Sequence, residues 1–382
     1  MGKRIIFVST IHSDWGGSEE LWAASAEVLL ARGYDVSVCK ALESKRHKKL
    51  ERLISLGGRL LTPAGYRLPF FVRLRNRCLP YGYHKSPQAY YGGLLRRTKP
   101  DLAVISQGWN CDGFGWAKEC QRAGIPYALI SQQASIRGWP RDADVADVAA
   151  AHLKSRGAFY VAERLLERTE EMIGAKIPHA EIVRNPFNVK AAHSLPWPAE
   201  DQGFRLACVG RFEFKDKGQD ILIRVMGMEK WRRRDLTVSF FGAGINREGM
   251  QRLIEYTGAT NCQIVGHTDS VEELWKNHHA LILPSREEGL PLVVVEAMLC
   301  GRPCIVTDVV GNAELLTEGH SGFVCPAPTA ALLDETLERA WQKRESWKSM
   351  GERAGADVRK AIPADPGAVF ADRLTALLGK GK

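Results

Sequence analysis

The chain has 382 residues, 45% of them apolar and 25% charged, a globular composition long enough for two domains. No stretch approaches the roughly 20 apolar residues of a membrane-spanning helix, and the apolar run in "MGKRIIFVST" is too short for a secretion signal. Lys and Arg number 53 against 44 Asp and Glu, a net +9, which favours phosphates, nucleic acid or an acidic membrane without choosing among them.

"RIIFVST" reads as a strand, "SEELWAASAEVLLARG" as a helix and "YDVSVCK" as the next strand. "DLAVIS" (101–106) precedes a helix near 113–124 and then "PYALIS". Such Val/Ile/Leu runs suit strands buried on both faces, and the alternation predicts an α/β fold with a parallel sheet. In the loop "DWGGSEE", Gly16 and Gly17 permit close backbone approach and Ser18 is a candidate helix cap. No Lys-Ser/Thr follows, so this is not a P-loop. His12 reads as a surface loop histidine. "YRLPFFVRLRNRCLPYGYHK" (66–85) and "SKRHKK" (44–49) mix cations with aromatics. They suit a lipid-linked or anionic acceptor at a membrane surface, or a solvated basic face. No helix-turn-helix, zinc or RNA-binding signature accompanies them, which argues against nucleic acid. "DAD" (142–144) resembles a metal-binding Asp-x-Asp, but it follows no strand and opens a helical stretch.

The pattern then restarts. "NPFNVKAAHSLPWPAEDQG", with three prolines, reads as a linker. The domains are therefore 1–190 and 200–360, and 361–382 is an amphipathic helix expected to return to the first. Two doubly wound sheets in series suggest a ligand cleft between them. "FRLACVG" (204–210) leads to a helix beginning near Lys217. "LTVSFFG", a helix near 247–257, "CQIVG", a helix near 270–276, "ALILP", a helix at 291–300 and "PCIVTD" follow. The loop "RFEFKDKG" puts Arg211 at a strand end and Lys217 at a helix start. That is either a diphosphate clamp or a solvated loop. "GAGINRE" (242–248) is a partial dinucleotide fingerprint. In "SREEGLPLVVVEAMLCGRPCIV" (285–306), Pro291 is expected at the first helical position, leaving the N–H groups of Gly289 and Leu290 for an anion. Glu288 lies beside any ligand there. Glu296 lies inside an otherwise apolar helix face and suits paired ribose hydroxyls. Acids favouring the helix dipole explain Glu288 but not Glu296. The nine cysteines are scattered and odd in number, which indicates a reducing compartment. Cys300 and Cys304 have no second Cys/His pair to complete a metal site.

Taken in order, "GGSE" (16–19), "VGRFEFKDKGQDILI" (209–223), "FGAG" (241–244), "VGHTDSVEELW" (265–275), "PSREEGLPLVVVEAMLCGRPCIVTD" (284–308) and "GNAELLTEGHSGFV" (311–324) resemble the retaining glycosyltransferases of family 4. That resemblance implies the GT-B fold, two Rossmann-like domains facing across a cleft. It implies a nucleotide-diphosphate sugar held mainly by the second domain, with transfer at retained configuration and no required metal or other cofactor. Arg211 and Lys217 would neutralise the leaving diphosphate. Glu288, with the N–H groups of Gly289 and Leu290, would meet the donor sugar. Glu296 would hold the ribose, and Gly266 and His267 would border the base. Many members carry a His after a strand of the first domain. The comparable loops here, "ISQGWN" (105–110) and "ISQQASIRGW" (130–139), have none, so Gln107, Asn110, Gln132 or Gln133 is expected on the acceptor side. The expected partner is a glycan or lipid-linked acceptor of cell-surface polysaccharide or glycolipid synthesis. UDP is the default donor nucleotide because it is common, and the cytoplasm, with peripheral contact at an anionic membrane face, is the expected location. A non-catalytic scaffold with the same fold is the alternative, and the paired domains alone would also fit an NAD-dependent oxidoreductase.

Overall fold

The computed structural model describes residues 2–11, 15–40, 47–61, 88–136, 138–189, 193–199, 201, 203–268 and 270–379. His12, the basic aromatic stretch 66–85 and residues 44–46 of the Lys/Arg run lie outside them. The chain divides into two units: Met1–Ala134, Gly138–Pro186 and Asp365–Lys382 form the first, Ser135–Arg137 and Phe187–Ala364 the second.

The first unit holds a sheet of β1 (Arg4–Ser9), β2 (Asp35–Cys39), β3 (Arg59–Leu61), β4 (Leu102–Gln107), β5 (Tyr127–Ser131), β6 (Gly157–Tyr160) and β7 (Ala180–Ile182), in the order β3-β2-β1-β4-β5-β6-β7. Every pairing is parallel. β4 and β5 are buried along their whole length, as their unbroken apolar runs require. The helix Glu20–Ala31 turns Leu21, Trp22, Ala26 and Leu29 onto one face. Beside it packs the helix Pro366–Gly379, which adds Phe370, Leu374 and Leu377 to the same core. The Phe370 ring meets Phe159 edge-on, centroids 5.0 Å apart. The opposite face is covered by Gln88–Thr98 and Phe114–Ala123.

The second unit holds β8 (Phe204–Val209), β9 (Leu236–Phe241), β10 (Cys262–Gly266), β11 (Ala280–Leu283), β12 (Cys304–Thr307) and β13 (Gly322–Cys325), in the order β10-β9-β8-β11-β12-β13. This sheet is also parallel. In both sheets the winding direction reverses once, between β1 and β4 in the first and between β8 and β11 in the second. Open α/β sheets bind ligands at the carboxyl ends of the strands flanking such a reversal.

Two features of the second unit depart from the sequence reading. Described residues of the proline-rich linker are anchored in the second unit. Asn188 donates from its backbone N–H and its amide to Glu296 Oε1, both at 3.0 Å. The fully buried Arg302 guanidinium donates to the carbonyls of Pro196 (2.6 Å), Trp275 (2.8 Å), His278 (2.9 Å) and Cys300 (3.0 Å), and lies over the Trp197 ring. Second, the helix expected near Lys217 is broken. Phe214–Lys217 and Gln219–Met226 are separate turns joined by Gly218 at φ +64°. A Cβ on Gly218 would sit 2.1 Å from the Pro284 carbonyl oxygen, at the end of β11. Glycine is thus required both by the left-handed backbone and by close approach. Gly218→Ala is expected to cost about 2–4 kcal/mol, strain plus overpacking. A wild-type midpoint in guanidinium unfolding would refute this.

Candidate functional site

The loops after β8 and β11 meet at the reversal of the second sheet. Lys217 Nζ donates to Glu288 Oε1 at 2.7 Å, and the Ser285 hydroxyl donates to the same oxygen at 2.7 Å. Both ends of the ion pair are largely withdrawn from water, with side chains 17% and 7% exposed. The half-exposed Arg211 pairs with Glu213 at 2.9 Å and reaches Asp216 at 3.6 Å. The two cations of the expected clamp are thus already paired with carboxylates, which an incoming diphosphate would have to displace. Partial burial, with Glu213 and Glu287 nearby, raises the Asp216 carboxyl above its ordinary range against the pull of Arg211 and Lys215.

A staple that the sequence reading missed holds these loops together. Arg286 grips the Asp220 carboxylate with two nitrogens, at 2.6 and 2.9 Å, and also donates to the Phe214 carbonyl. The backbone N–H groups of Arg286 and Glu287 donate to the Asp216 carbonyl at 2.7 and 3.1 Å. Such a planar two-point grip fixes orientation as well as distance. Behind it, Thr307 Oγ1 donates to the Ser285 carbonyl at 2.6 Å, and Asn312 donates to the Thr307 carbonyl at 2.9 Å.

Glu288, Gly289, Leu290 and Pro291 follow β11 and are buried. Pro291 is the N-cap of the helix Leu292–Leu299, one place earlier than expected, with φ −66° and ψ 127°. The first N–H groups of this helix have no partner within it. Glu296 lies inside the helix and is buried, and Oε1 already bonds to Asn188. Gly266 ends β10 at φ +101°, its carbonyl accepts from Gly242 N–H at 2.8 Å, and His267 beside it is exposed. The glycines of "GAG" serve packing. A Cβ on Gly242 would lie 2.0 Å from the Gly210 carbonyl oxygen, and one on Gly244 2.5 Å from that of Phe212.

In the first unit, Gly16 and Gly17 lead into the helix Glu20–Ala31 through a tight turn. Gly16 has extended backbone, and Ser18, expected as a cap, makes no capping bond. The next residue, Glu19, is fully buried. Glu19 accepts from Lys40 Nζ at 2.6 Å, from the Ser9 hydroxyl at 2.8 Å and from the Trp22 indole. A pair like this, wholly out of water, survives only because other donors complete it.

The acceptor-side candidates are mostly buried. Gln107 is buried; its amide donates to the Asp112 carbonyl at 2.7 Å and accepts from Ser131 at 2.6 Å. Asn110 is fully buried and donates to Thr169 at 2.9 Å. Gln132 is buried and accepts from Asn185 at 2.9 Å. These three amides are buried, and Asn110 Oδ1 and Gln132 Nε2 have no hydrogen-bond partner among the described residues. Gln133 is half-buried, and its carbonyl takes the Asn110 N–H at 2.9 Å. Nearby, His152 Nε2 bonds the Asn110 carbonyl at 2.9 Å and Nδ1 the Tyr160 hydroxyl at 2.7 Å. Burial lowers His152 to about 4. The imidazole is thus neutral, with Nε2 donating and Nδ1 accepting.

What the sequence reading passed over is Asp112. Its Oδ1 accepts from the Thr10 hydroxyl at 2.8 Å and its Oδ2 from the Trp109 N–H at 2.9 Å. Desolvation pushes the carboxyl up to about 7 despite these bonds. The one available signal was its place at the end of the Gln107–Asp112 turn. Asp142 and Asp144 open the helix Asp142–Leu153, and Asp144 pairs with Arg141 at 2.6 Å. Cys300 and Cys304 are buried thiols, and burial raises both.

Residues 193–357 match the family described as glycosyl transferases group 1. N-acetyl-alpha-D-glucosaminyl L-malate synthase of Bacillus anthracis is 28% identical over 158 residues, 37% of this chain and 41% of that protein. The putative glycosyltransferase EpsD of Bacillus subtilis is 28% identical over 138 residues, 36% of each chain. The matches thus span well under half the length of these curated relatives. Over the whole chain the likeness is structural. Anabaena HepE in complex with UDP superposes with TM-score 0.73 at 15% identity, covering 98% of this chain and 100% of that one. Staphylococcus aureus TarM, in complex with alpha-GlcNAc-glycerol and UDP, gives 0.72 at 11% identity, covering 100% of both chains. The fold is GT-B, built from two parallel-sheet Rossmann-like domains.

Proposed function

We propose that the protein is a retaining hexosyltransferase. It moves a sugar from a nucleotide-diphosphate donor, a UDP-sugar, to a glycan or lipid-linked acceptor of cell-surface polysaccharide or glycolipid synthesis. The observation that carries this is the Lys217–Glu288 pair, which joins the loops after β8 and β11 at the reversal of the sheet. The match of residues 193–357 to glycosyl transferases group 1 and the UDP bound to HepE and TarM support it.

In this reading the diphosphate displaces carboxylates from Lys217 and Arg211, and the two cations then stabilise the charge that develops as it leaves, a large electrostatic contribution. Their two charges make a metal unnecessary. Glu288, released from Lys217, meets hydroxyls of the donor sugar, while the N–H groups of Gly289 and Leu290 face it. Glu296 takes the ribose. Free, buried cysteines among the described residues suit a reducing cytoplasm.

The test is a binding screen of UDP and GDP sugars followed by nucleotide release. Glu296→Ala is expected to weaken UDP binding by about tenfold or more, the worth of a charge-assisted hydrogen bond, while inorganic pyrophosphate binds as before. Equal UDP affinity in the variant and the wild type would remove the ribose from Glu296.

A further inference from the structure

The two cations of the second unit's clamp are held differently. Lys217 sits in a nearly dry pair with Glu288. Arg211 is more than half exposed and faces two carboxylates at once, Glu213 at 2.9 Å and Asp216 at 3.6 Å. Glu213 is in close contact with the guanidinium, whereas the Asp216 carboxyl stays beyond hydrogen-bond length. The Asp216 side chain is only 14% exposed, and its carboxyl takes no hydrogen bond from a described residue. The backbone at Asp216 is fixed, because its carbonyl accepts the N–H groups of Arg286 and Glu287. A carboxylate pinned in place, short of both water and donors, depends on the cation beside it.

We propose that Asp216, with Glu213, is a built-in competitor for the diphosphate of the donor: the ligand takes Arg211 from the two carboxylates, and Asp216 binds a proton in exchange. This rests on the glycosyltransferase reading above and deepens it by assigning residues that set how tightly the donor is held. The exchange balances. A guanidinium–carboxylate contact breaks, a guanidinium–phosphate contact forms, and one proton moves from the buffer to the Asp216 carboxylate. No covalent bond changes. When the diphosphate leaves, the proton departs and the carboxylates return to Arg211, so the same pair that opposes donor binding assists product release.

The charges around Asp216 support this exchange. Burial already raises its carboxyl above the ordinary range. Glu213 on its own loop and Glu287 on the loop after β11 add to that, and Arg211 and Lys215 oppose it. Glu287 also accepts from the Ser135 hydroxyl at 2.7 Å. Arg286 is engaged with Asp220, and Lys217 with Glu288. On the loop after β9, Asn246 accepts the Phe214 N–H, and the exposed Arg247 and Glu248 follow it. Once Arg211 turns to phosphate, Asp216 faces Glu213, Glu287 and the charge of the ligand, and its proton affinity rises further. A group that holds its proton more tightly in the complex than in the free protein takes up a proton on binding. The ligand therefore binds more tightly as the pH falls.

The experiment is titration calorimetry on the full chain with UDP-glucose, UDP-galactose, UDP-N-acetylglucosamine and GDP-mannose, the tightest of them being carried forward. A terminal phosphate titrates near pH ~6. Both phosphates of a nucleotide sugar are esterified, so the ligand itself exchanges no proton. Repeating each titration in two buffers of different ionisation enthalpy counts the protons taken up. Wild-type protein should take up a measurable fraction of a proton between about pH 5 and 7.5, and its affinity should rise about fivefold as the pH is lowered across that span. Asp216→Asn should bind about fivefold more tightly at the upper end of the span. It should lose most of the uptake and the pH dependence, and it should melt no lower than wild type, since burial disfavours the charge it removes. Glu213→Gln should also tighten binding and keep part of the uptake. Wild-type binding without proton uptake, or Asp216→Asn with unchanged affinity, would overturn the competitor role and leave the enzyme reading standing. Uptake that survives whole in Asp216→Asn would place the proton on Glu213 or Glu288 and overturn the part given to Asp216. If Asp216→Asn does not fold, wild-type binding that is flat across the same span would still overturn the proposal. Wild-type protein that binds none of the four nucleotide sugars would overturn the enzyme reading itself, and the competitor role falls with it.

Discussion

Lys217→Ala is expected to reduce turnover by about 10²- to 10³-fold, the loss typical of one preorganised electrostatic contact to a developing anion. The same change also leaves Glu288 buried with the Ser285 hydroxyl as its remaining hydrogen-bond donor among the described residues. Removing one member of a buried pair commonly costs about 3–5 kcal/mol, reduced here because Lys217 keeps some solvent contact. The rate loss and the stability loss therefore arrive together in the single variant. Combining Lys217→Met with Glu288→Gln separates them. With no charge left unpaired, the double variant should regain most of the melting temperature and stay as slow as the single one. Turnover that recovers with stability would make the lysine a structural element and remove it from the chemistry.

Arg302→Met is expected to give the largest stability loss. No carboxylate partners this guanidinium in the described hydrogen bonds. Backbone carbonyls from the linker, from the turn before β11 and from the end of the helix Leu292–Leu299 surround it instead. Burial without a compensating anion lowers its pKa to about 10. Truncation strands several buried acceptors, each worth about 1–3 kcal/mol. A drop in melting temperature on the order of 10 °C follows for a unit of this size. The first unit, which Arg302 does not touch in these bonds, should keep its hydrogen-exchange protection. A melting temperature within 2 °C of wild type, roughly the scatter of a neutral surface change, would show that water replaces the guanidinium.

The sheets were legible because β4, β5, β11 and β12 are buried on both faces and must be apolar throughout. The Glu288–Glu296 stretch stood out because a carboxylate inside an apolar helix face requires a reason. The missed features share a different cause. Glu19 finds Lys40, Asp220 finds Arg286 and Asn188 finds Glu296 only after strands distant in the chain lie side by side, so no local pattern announces them. Gln107, Asn110 and Gln132 show the opposite difficulty. Polar residues at strand ends read as ligand groups, yet turns over a buried sheet also need interior partners, and sequence does not say which need each one meets. Asp112 was passed over. Its position at the reversal of the sheet cannot be seen until the strand order is known.

The last segment of the chain completes the first unit. Lys3 Nζ donates to the Leu378 carbonyl at 2.5 Å, Arg32 pairs with Asp372 at 2.6 Å, and Phe370 fills the space beside Phe159. On the ribosome, the part made first is therefore the part finished last. The second unit emerges whole and can close alone, whereas β1 and its helix wait, with an apolar seam uncovered, until residue 379 clears the exit tunnel. An early stop codon beyond Ala364 would leave the first unit without the helix that covers its apolar seam.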